Sequence, residues 1–409
     1  MPSNGFNRIP ILALFAANAI SMVGNMFAAI AIPWFVLQTT HSATQMGITG
    51  FFNVLPVVLA GLLGGTLVDR IGYKGTSIIA DLASGVTVVL IPILYMTTGL
   101  PFWALMVLVF LGALLDAPGS TARSALVPEL AELAGMSLER ASSVNQVIER
   151  SSRLVGAPLA GLLIAAIGST NVLWLDGVSF FFSAALVVLF VAVPRILIPA
   201  AQKGKYFHEL MLGFKFMLND RLIFAIVVVV MITNFLDSAF GGVVQPVYVN
   251  KVFGSALALG VIIAANGGGA VLGAIIFGWI GQRLPRRAVF IWMFTLTSLR
   301  FFVYVLYPPL WVILLATFIF SIGAGPLNPI IDAVEYERIP PEMRGRVFGT
   351  ITAGVWAAMP LSMLVAGVLS DRLGFQSVLI GIGLIYMATT ASMALIPAMR
   401  LMERKPPGA

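Results

Sequence analysis

The sequence predicts an all-α integral membrane protein with twelve transmembrane helices in two six-helix halves. Of its 409 residues, 59% are hydrophobic and only 10% are charged, with a mean hydropathy of +0.99. A water-soluble globule needs more polar surface than this composition supplies. Twelve apolar segments are each long enough to cross a bilayer. In order, they lie at about 9–37, 45–68, 75–98, 101–123, 142–167, 172–193, 221–249, 256–281, 288–307, 309–331, 346–369 and 375–397.

A short glycine-bounded unit ends four of these segments and predicts how the helices are grouped. Its complete form, Gly-x-x-x-Asp-Arg-x-Gly, occurs at Gly65–Gly72 and again at Gly367–Gly374. Weaker copies in the same frame occur at Gly161–Gly168 and Gly278–Pro285. Successive copies begin roughly 90–120 residues apart, which leaves room for three spanning helices each. Four three-helix repeats, paired into two halves, are typical of a transporter whose binding site lies between the halves near mid-membrane.

The longest polar connection sets the expected domain boundaries. We predict an N-terminal six-helix half at 1–193, a cytoplasmic linker at 194–220 and a C-terminal six-helix half at 221–409. Apolar residues recur at helical spacing within the linker, which predicts an amphipathic helix lying flat on the cytoplasmic membrane surface. These residues are Tyr206, Phe207, Leu210, Met211, Phe214, Met217 and Leu218.

Two helix starts need separate justification. The first apolar run carries Asn18, Ser21 and Asn25 and is too long and too polar for a cleaved signal peptide, so we predict a spanning helix. The prolines and the acid of Pro340-Pro341-Glu342 predict the start of the eleventh helix, although its apolar run begins only at Val347.

The basic residues predict the orientation of the chain. Nineteen of the twenty-four Lys and Arg residues fall on one set of loops and ends, whereas the opposite set holds only Lys251 and Arg372. Because basic residues collect on the cytoplasmic side, both termini are expected to be cytoplasmic. The same assignment puts the Asp69 turn inside and the Asp371 turn outside, as inverted repeats require. The net charge of +7 therefore reflects topology, and no nucleic-acid partner is expected.

The sequence excludes several soluble functions. The glycines of Gly267–Gly273 lie inside an apolar span with no preceding strand, so close helix packing explains them better than dinucleotide binding. Gly204-Lys205 lacks the upstream glycine and the Ser/Thr of a phosphate-binding loop. The absence of cysteine excludes thiolate catalysis and Cys-ligated metals. We expect no catalytic residue, metal or cofactor, so transport must draw on a gradient or a partner.

Ionisable residues inside the predicted spans are informative because each costs about 2.5–3.5 kcal/mol at a helix centre and tends to face a cavity or a partner. They are Asp81, Asp116, Glu149, Arg150, Arg153, Asp176, Asp237 and Arg300. Glu149 and Arg153 are spaced for an ion pair on one helix face. Asp81 and Asp176 lie near segment ends, where they can reach water. Arg300 is either a structural counter-ion or a substrate contact.

Two polar stripes mark a candidate substrate cavity, one on the predicted seventh helix and a matching one on the first. Their members are Asn234, Asp237, Gly241 and Gln245 on the seventh helix and Asn18, Ser21 and Asn25 on the first. Two interpretations stay open, namely cavity lining, which we favour, and hydrogen bonding between helices. We expect the amides of both stripes and Ser21 to line the cavity.

Five residues between the second and third segments carry a family resemblance: Gly65, Asp69, Arg70, Gly72 and Lys74. Together with twelve segments and a long central loop, they resemble the major facilitator superfamily and its cytoplasmic signature. Tyr73 stands where that family usually has a basic residue. The resemblance covers essentially the whole chain and implies the major facilitator fold.

Further stretches resemble one branch of that family, which contains bacterial macrolide-efflux proteins and the enterobactin exporter. They are Val155–Gly161, Leu175–Phe180 and Glu342–Val347. The fifth-helix antiporter signature is only partly present, since Ala157 and Leu162 replace two of its glycines.

The resemblance implies alternating access by rocking of the two halves, with helices one, four, seven and ten lining the cavity. Asp116 and Asp237 then lie on cavity helices, whereas Arg300 is peripheral. At the cytoplasmic end of the second helix, the Asp69 carboxylate is expected to meet the N-terminus of the eleventh helix near Arg346, where partial positive charge favours it.

Proton coupling requires an acidic group that is embedded in the membrane and wetted from alternate sides. Elimination of surface, terminal and paired acids leaves Asp116 and Asp237 as candidates. We place Asp237 first, because it has no basic residue within a helical turn, whereas Asp116 is two turns from Arg123.

These observations predict a monomeric, multi-pass secondary transporter of the bacterial inner membrane. Its expected activity is export of hydrophobic or amphipathic drug-like compounds by proton antiport, with these small molecules, protons and the lipid bilayer as its partners. One rival is export of a defined metabolite such as a siderophore or a lipid. A rival of another class is a non-transporting membrane receptor or scaffold, against which the lack of a sizeable soluble domain argues.

Overall fold

A computed structural model describes residues 7–63, 65–192 and 206–403, with 61–63, 65–70, 206–210 and 282 described through their backbone alone. Twelve helices in these residues are long and apolar enough to cross a membrane, as predicted. We number them first to twelfth: Ile9–Thr40, Ala43–Ala60, Ile71–Thr97, Phe102–Leu133, Leu138–Ile167, Ser169–Phe190, Arg221–Phe253, Ala256–Ile280, Arg286–Val305, Leu310–Arg338, Pro341–Leu373 and Phe375–Leu395.

Several spans are built from more than one helical piece. The seventh span changes from α-helix to π-helix at Phe240–Val244, where two consecutive glycines lie, and resumes as Gln245–Phe253. The eleventh span begins with a 3₁₀ turn at Pro341–Met343 and then divides into Arg344–Ala357 and Met359–Leu373. The predicted start of the eleventh helix at its proline pair is therefore confirmed.

The last residue of the repeated unit adopts the same backbone conformation in three of its four copies. Gly72 has φ 75° and ψ 166°, Gly168 has φ 85° and ψ 155°, and Gly374 has φ 80° and ψ 143°. This part of backbone space is accessible essentially to glycine alone. The fourth copy has Pro285 at this position, with φ −68° and ψ 117°. The sharp turn after each long span is therefore a property of the repeat, which the proline copy makes differently.

The chain forms two compact units. The first comprises Met1–Thr39, Phe52–Ala201 and Ser255–Gly260, and the second comprises Thr40–Phe51, Gln202–Gly254 and Val261–Ala409. The second unit therefore includes the first half of the second span, and the first unit includes the first five residues of the eighth span. These units depart from the predicted halves at those two short segments.

The first glycine of the repeat explains how these segments join their units. A Cβ atom on Gly367 would lie 2.5 Å from the Ala43 carbonyl oxygen at the start of the second span. A Cβ atom on Gly161 would lie 2.6 Å from the Ala256 carbonyl oxygen at the start of the eighth span. Only glycine permits backbones to approach this closely. The same small-residue packing accounts for Gly269 and Gly273, whose Cβ atoms would meet carbonyl oxygens of the tenth span at 2.2 and 2.0 Å.

The predicted linker helix is present as Tyr206–Asn219. It packs on the start of the eleventh span through Gly213, where a Cβ atom would lie 2.7 Å from the Arg346 carbonyl oxygen. Met217 is buried in this contact, whereas Met211 and Phe214 are exposed. Exposed apolar residues suit a helix at a membrane surface, and that location stays a prediction.

We expect Gly168→Ala to lower the midpoint of thermal unfolding, because an L side chain in this conformation costs about 1–3 kcal/mol. No heavy atom lies within 4 Å of the added Cβ position, so the effect comes from backbone conformation alone. Gly278→Ala is the matched control, since its Cβ position is equally open but lies within the helix Ala256–Ile280. Equal midpoints for the two variants would contradict this interpretation.

Candidate functional site

An arginine buried inside the first unit forms the centre of a polar network. Arg123 of the fourth span is 1% exposed and forms an ion pair with Asp81 of the third span. Its other guanidinium nitrogens donate to the first span, with Nε 3.3 Å from Asn18 Oδ1 and Nη2 3.2 Å from Ser21 Oγ. The second oxygen of Asp81 accepts a hydrogen bond of 2.7 Å from Ser183 Oγ of the sixth span. Four spans therefore meet at one ion pair.

The positions of Asp81 and Arg123 correct two expectations. Asp81 does not reach water, because it is fully buried within the span Ile71–Thr97. Arg123 is not a terminal loop residue, because the fourth span continues to Leu133. The sequence signal for this continuation is the helical spacing of Leu126, Val127, Leu130 and Ala131, all of which are buried.

Asp116 lies at the more exposed side of the network. Its side chain is 23% exposed, and its Oδ1 atom lies 4.0 Å from Arg123 Nη2. Its other oxygen, Oδ2, accepts a hydrogen bond of 3.0 Å from Asn25 Nδ2. The sequence argument that linked Asp116 to Arg123 was therefore sound, although the pair lies within the helical bundle.

The polar stripe of the first span makes hydrogen bonds to neighbouring helices. Ser21 and Asn25 contact the fourth span, and Asn18 contacts both the fourth span and Asn145 of the fifth, at 3.0 Å. Interhelical bonding therefore describes the contacts of this stripe in the structure. Lining of a substrate cavity by Asn18, Ser21 and Asn25 stays a prediction.

Asp176 of the sixth span is also placed differently from the expectation. It was expected to reach water, but its exposed fraction is 0% and neither carboxylate oxygen has a hydrogen-bond partner among the described residues. Asp116 lies within electrostatic range of it. A Cβ atom on Gly24 of the first span would lie 2.7 Å from Asp176 Oδ1. No pattern within the sixth segment indicates this burial, because Asp176 lies only seven residues inside its span.

In the second unit, Asp237 has a cation beside it. Arg300 of the ninth span forms an ion pair with Asp237 and lies over the rings of Phe240 and Phe301, with its guanidinium carbon 5.6 and 4.8 Å from their centroids. Tyr386 of the twelfth span lies within electrostatic range of Asp237. The expectation that no cation lies near Asp237 considered only its own helix and is wrong. Arg300 is a counter-ion to an expected cavity residue in this structure.

The rest of the seventh-span stripe is divided between buried and half-buried positions. Gln245 is buried and donates a hydrogen bond of 2.9 Å to the Tyr304 hydroxyl of the ninth span. Asn234 is half-buried. The two interpretations of the stripe therefore apply to different residues, since Gln245 bonds between helices while Asn234 stays partly accessible.

The sequence profile described as Major Facilitator Superfamily matches residues 14–241 and residues 227–409. The chain belongs to the major facilitator superfamily. It is therefore a transporter and not an enzyme, as expected. Among relatives of this superfamily member, the multidrug efflux pump Tap of Mycobacterium tuberculosis is 29% identical over 98% of this chain and 96% of that protein.

Other superfamily relatives are more distant. The staphyloferrin A transporter of Staphylococcus aureus is 26% identical over 58% of this chain and 59% of that protein. Macrolide efflux protein A of Streptococcus pyogenes is 21% identical over 90% of this chain and 91% of that protein. With twelve spans and bacterial efflux relatives of nearly full length, the chain is a multi-pass bacterial membrane protein.

Solved structures of the superfamily share its fold. The nucleoside transporter NupG aligns with a TM-score of 0.78 at 12% identity, covering 94% of this chain and 98% of that one. A D-xylose–proton symporter aligns with a TM-score of 0.71 at 15% identity, covering 96% and 99%. At these identities the likeness shows the fold alone.

The superfamily signature is described in part. Gly72 makes the turn, and Lys74 Nζ donates a hydrogen bond of 3.3 Å to the Val188 carbonyl oxygen of the sixth span. The side chains of Asp69 and Arg70 lie outside the described residues, so the expected contact of Asp69 near Arg346 stays a prediction.

The second complete copy of the signature shows what its aspartate can do. Asp371 accepts hydrogen bonds from Ser42 Oγ at 2.8 Å, the Ala43 N–H at 3.0 Å and the Thr44 N–H at 2.8 Å. These donors lie at the N-terminus of the second span, where unpaired N–H groups and the helix dipole favour a negative charge. The carboxylate of this copy therefore caps a helix of the same compact unit.

Replacing Arg123 by Gln should lower the stability of the protein strongly. It leaves Asp81 buried without its cation, and breaking a buried pair costs about 3–5 kcal/mol. Arg153→Gln is the matched control, because the predicted Glu149–Arg153 pair is confirmed at 3.1 Å but has side chains 43% and 70% exposed. Loss of such an exposed pair costs at most about 1 kcal/mol. Thermal unfolding in one detergent compares them, and equal midpoints would contradict the buried network.

Proposed function

We propose that this protein exports hydrophobic or amphipathic drug-like molecules across the bacterial inner membrane by alternating access, driven by proton antiport. The similarity to the multidrug efflux pump Tap, which extends over 98% of the chain, supports the substrate class. The similarity to macrolide efflux protein A supports it independently. Both termini lie in the cytoplasm in this proposal, because that orientation places eighteen of the twenty-four basic residues inside once Arg123, which lies within the bundle, is left out.

The observation that carries the proton-driven part is the charge balance of the first unit. Asp81 and Asp116 share one cation, Arg123, and Asp116 in turn lies within electrostatic range of Asp176, so three acids on three spans accompany one base. If all three acids were ionised, two negative charges would be left uncompensated inside an apolar bundle, which is expensive. Protonation of two of these acids would neutralise the uncompensated charges and remove this cost. A proton gradient is therefore a fitting source of energy for a chain without a nucleotide-binding motif.

Asp116 and Asp237 remain the candidates for the coupling residue, and their order changes. Asp237 is paired with Arg300, which favours its ionised form and its structural role. Asp116 is partly exposed and is 4.0 Å from a guanidinium that already serves Asp81. The side chains of both acids are partly exposed, Asp237 at 36% and Asp116 at 23%, so access to water does not rank them. Asp116 comes first because its charge is less fully balanced, since its cation is shared with Asp81.

The proposed substrate site is apolar and adaptable. The chain supplies 28 Phe and 18 Met residues, which suit binding of bulky molecules of varied shape. The stripe amides then orient the substrate. Asn25 and Asn234 are half-buried, whereas Asn18 and Gln245 are buried in bonds between helices.

Export of a single defined metabolite, such as a siderophore or a lipid, is the second candidate. The similarity to the staphyloferrin A transporter, over 58% of this chain, favours it. The two functions differ in breadth, because an efflux pump for drug-like compounds accumulates many members of a chemical panel and a dedicated exporter accumulates one class.

We expect inverted membrane vesicles that contain the protein and are acidified inside to accumulate several lipophilic cations and macrolides from a panel. Dissipating the pH gradient should abolish this accumulation. Asp116→Asn should abolish accumulation against a gradient and keep downhill exchange, because the driving proton is lost while binding remains. Vesicles prepared in the same way from cells that lack the transporter give the background. Unchanged accumulation without a pH gradient would refute proton antiport.

Alanine substitutions at the stripe amides should change apparent affinities unevenly across compounds. Asn25→Ala and Asn234→Ala should shift the concentration for half-maximal transport of some compounds several-fold and of others little, because apolar contact dominates binding. Asn18→Ala and Gln245→Ala should mainly lower thermal stability, since these amides are buried as well as bonded between helices. Identical affinities for every compound in all four variants would exclude these residues from the substrate site.

A further inference from the structure

Asp176 is a buried acid whose carboxylate accepts no hydrogen bond from the residues that the structure describes. It lies in the sixth span with an exposed fraction of 0%, and both of its oxygens lack a hydrogen bond within the described part of the chain. Ser179 Oγ, one turn further along, donates a hydrogen bond of 2.7 Å to the Asp176 backbone carbonyl oxygen and not to its carboxylate. An ionised carboxylate in such a place would be costly, so its contacts suit the protonated acid.

The surroundings of Asp176 contain more acids than bases. The first span supplies no charged residue, and its contact with Asp176 is made by Gly24, which has no side chain. The third span supplies Asp81, and the fourth supplies Asp116 and Arg123. Of the charged residues on the fifth span, Glu149 and Arg153 pair with each other in an exposed position. No cation in the described residues pairs with Asp176.

The other two acids of the first unit's network, Asp81 and Asp116, differ from Asp176 in how their charge is balanced. Asp81 forms an ion pair with Arg123 and accepts a hydrogen bond from the Ser183 hydroxyl. Asp116 accepts a hydrogen bond from Asn25, and its other oxygen lies 4.0 Å from Arg123 Nη2. In the second unit, Asp237 forms an ion pair with Arg300, which balances its charge. Asp176 is thus the embedded acid for which a proton is the fitting counter-charge.

We propose that Asp176 holds the transported proton in this structure and exchanges it with water through Asp116. The inference rests on the proposed proton-driven export and names a residue of that coupling site beyond Asp116 and Asp237. The O–H bond of the Asp176 carboxylic acid breaks, its electron pair stays on the oxygen, and the proton passes to the Asp116 carboxylate. Asp116, which is partly exposed, then releases the proton to water. The negative charge left behind is balanced when the next proton enters.

The first experiment needs no substrate. Infrared spectra of the full-length protein in lipid, recorded at neutral pH in H₂O and D₂O, detect the carbonyl stretch of a protonated carboxyl group. We expect such a band in the wild type and its loss in Asp176→Asn. Glu149→Gln, which makes the same acid-to-amide change at an exposed position of the same unit, should keep the band.

Thermal unfolding then separates a proton site from a structural anion. Because Asn closely matches a neutral carboxylic acid in size and charge, Asp176→Asn should unfold at nearly the wild-type midpoint. Asp81→Asn, which leaves Arg123 without its anion, should unfold at a much lower one. A wild type without the infrared band, or a band of equal size in Asp176→Asn, would overturn the assignment.

Transport of ethidium, a lipophilic cation, into acidified inverted vesicles separates this inference from the function on which it rests. If the wild type accumulates ethidium by the pH gradient, Asp176→Asn should fall to the level measured after the gradient is dissipated and should keep ethidium exchange. Equal accumulation by both would overturn the role of Asp176 while proton antiport stands. A wild type that accumulates ethidium without any gradient would instead refute proton antiport, and the infrared band would still decide where the proton resides.

Discussion

The structure of the first unit depends on the cost of placing charge in an apolar bundle. A membrane-embedded charge has no water to solvate it, so it must find a partner within the protein. Arg123 and Asp81 meet this requirement by pairing, and their remaining polar atoms bond to Asn18, Ser21 and Ser183. These bonds fix the first, third, fourth and sixth spans against one another. The ion pair therefore determines which side chains can meet in this unit.

The second unit meets the same requirement differently, and the contrast bears on coupling. Asp237 and Arg300 form a pair in which one negative and one positive charge are balanced, and Phe240, Phe301 and Tyr386 surround it. A balanced pair has no need of a proton. The two units share repeated sequence but differ in the charges placed within them. In the proposed mechanism, this difference assigns proton binding to the first unit and a structural role to the ion pair of the second.

Much of the fold was predictable because its signals are local. Hydropathy and length identify a spanning helix, and a repeated glycine predicts a recurring turn, so the twelve spans and the turns at Gly72, Gly168 and Gly374 followed from the sequence. Partners on different helices did not follow. Arg300 reaches Asp237 across 63 positions of sequence, and helical periodicity reports only neighbours on one helix.

Errors at the candidate site had the same origin. The predicted fourth segment ends at Arg123, whereas the partner of Arg123, 42 positions earlier, allows it to lie within the fourth span. Asp81 and Asp176 were judged by distance from segment ends, whereas burial depends on what packs around them. Asp176 is covered by the first span at Gly24, a contact that requires a glycine in one helix and an acid in another. No single-helix pattern contains that information.

The repeated unit shows how one backbone device can serve two purposes. At its first glycine, the fifth and eleventh spans each approach the start of another span closely, with Cβ positions at Gly161 and Gly367 only 2.6 and 2.5 Å from a carbonyl oxygen. Near the second of these contacts, Asp371 also accepts three hydrogen bonds from the helix start that it meets. The other copy has Ala165 in place of the aspartate, and the helix start there is capped by its own Ser255, whose Oγ accepts from the Ala258 N–H at 3.3 Å. The glycine contact depends on shape alone, whereas the aspartate adds an interaction that depends on charge. Close packing at the glycine is therefore the common property of the two copies. The Asp371 carboxylate is an addition, and it makes the contact at Gly367 sensitive to pH and salt, whereas the contact at Gly161 is not.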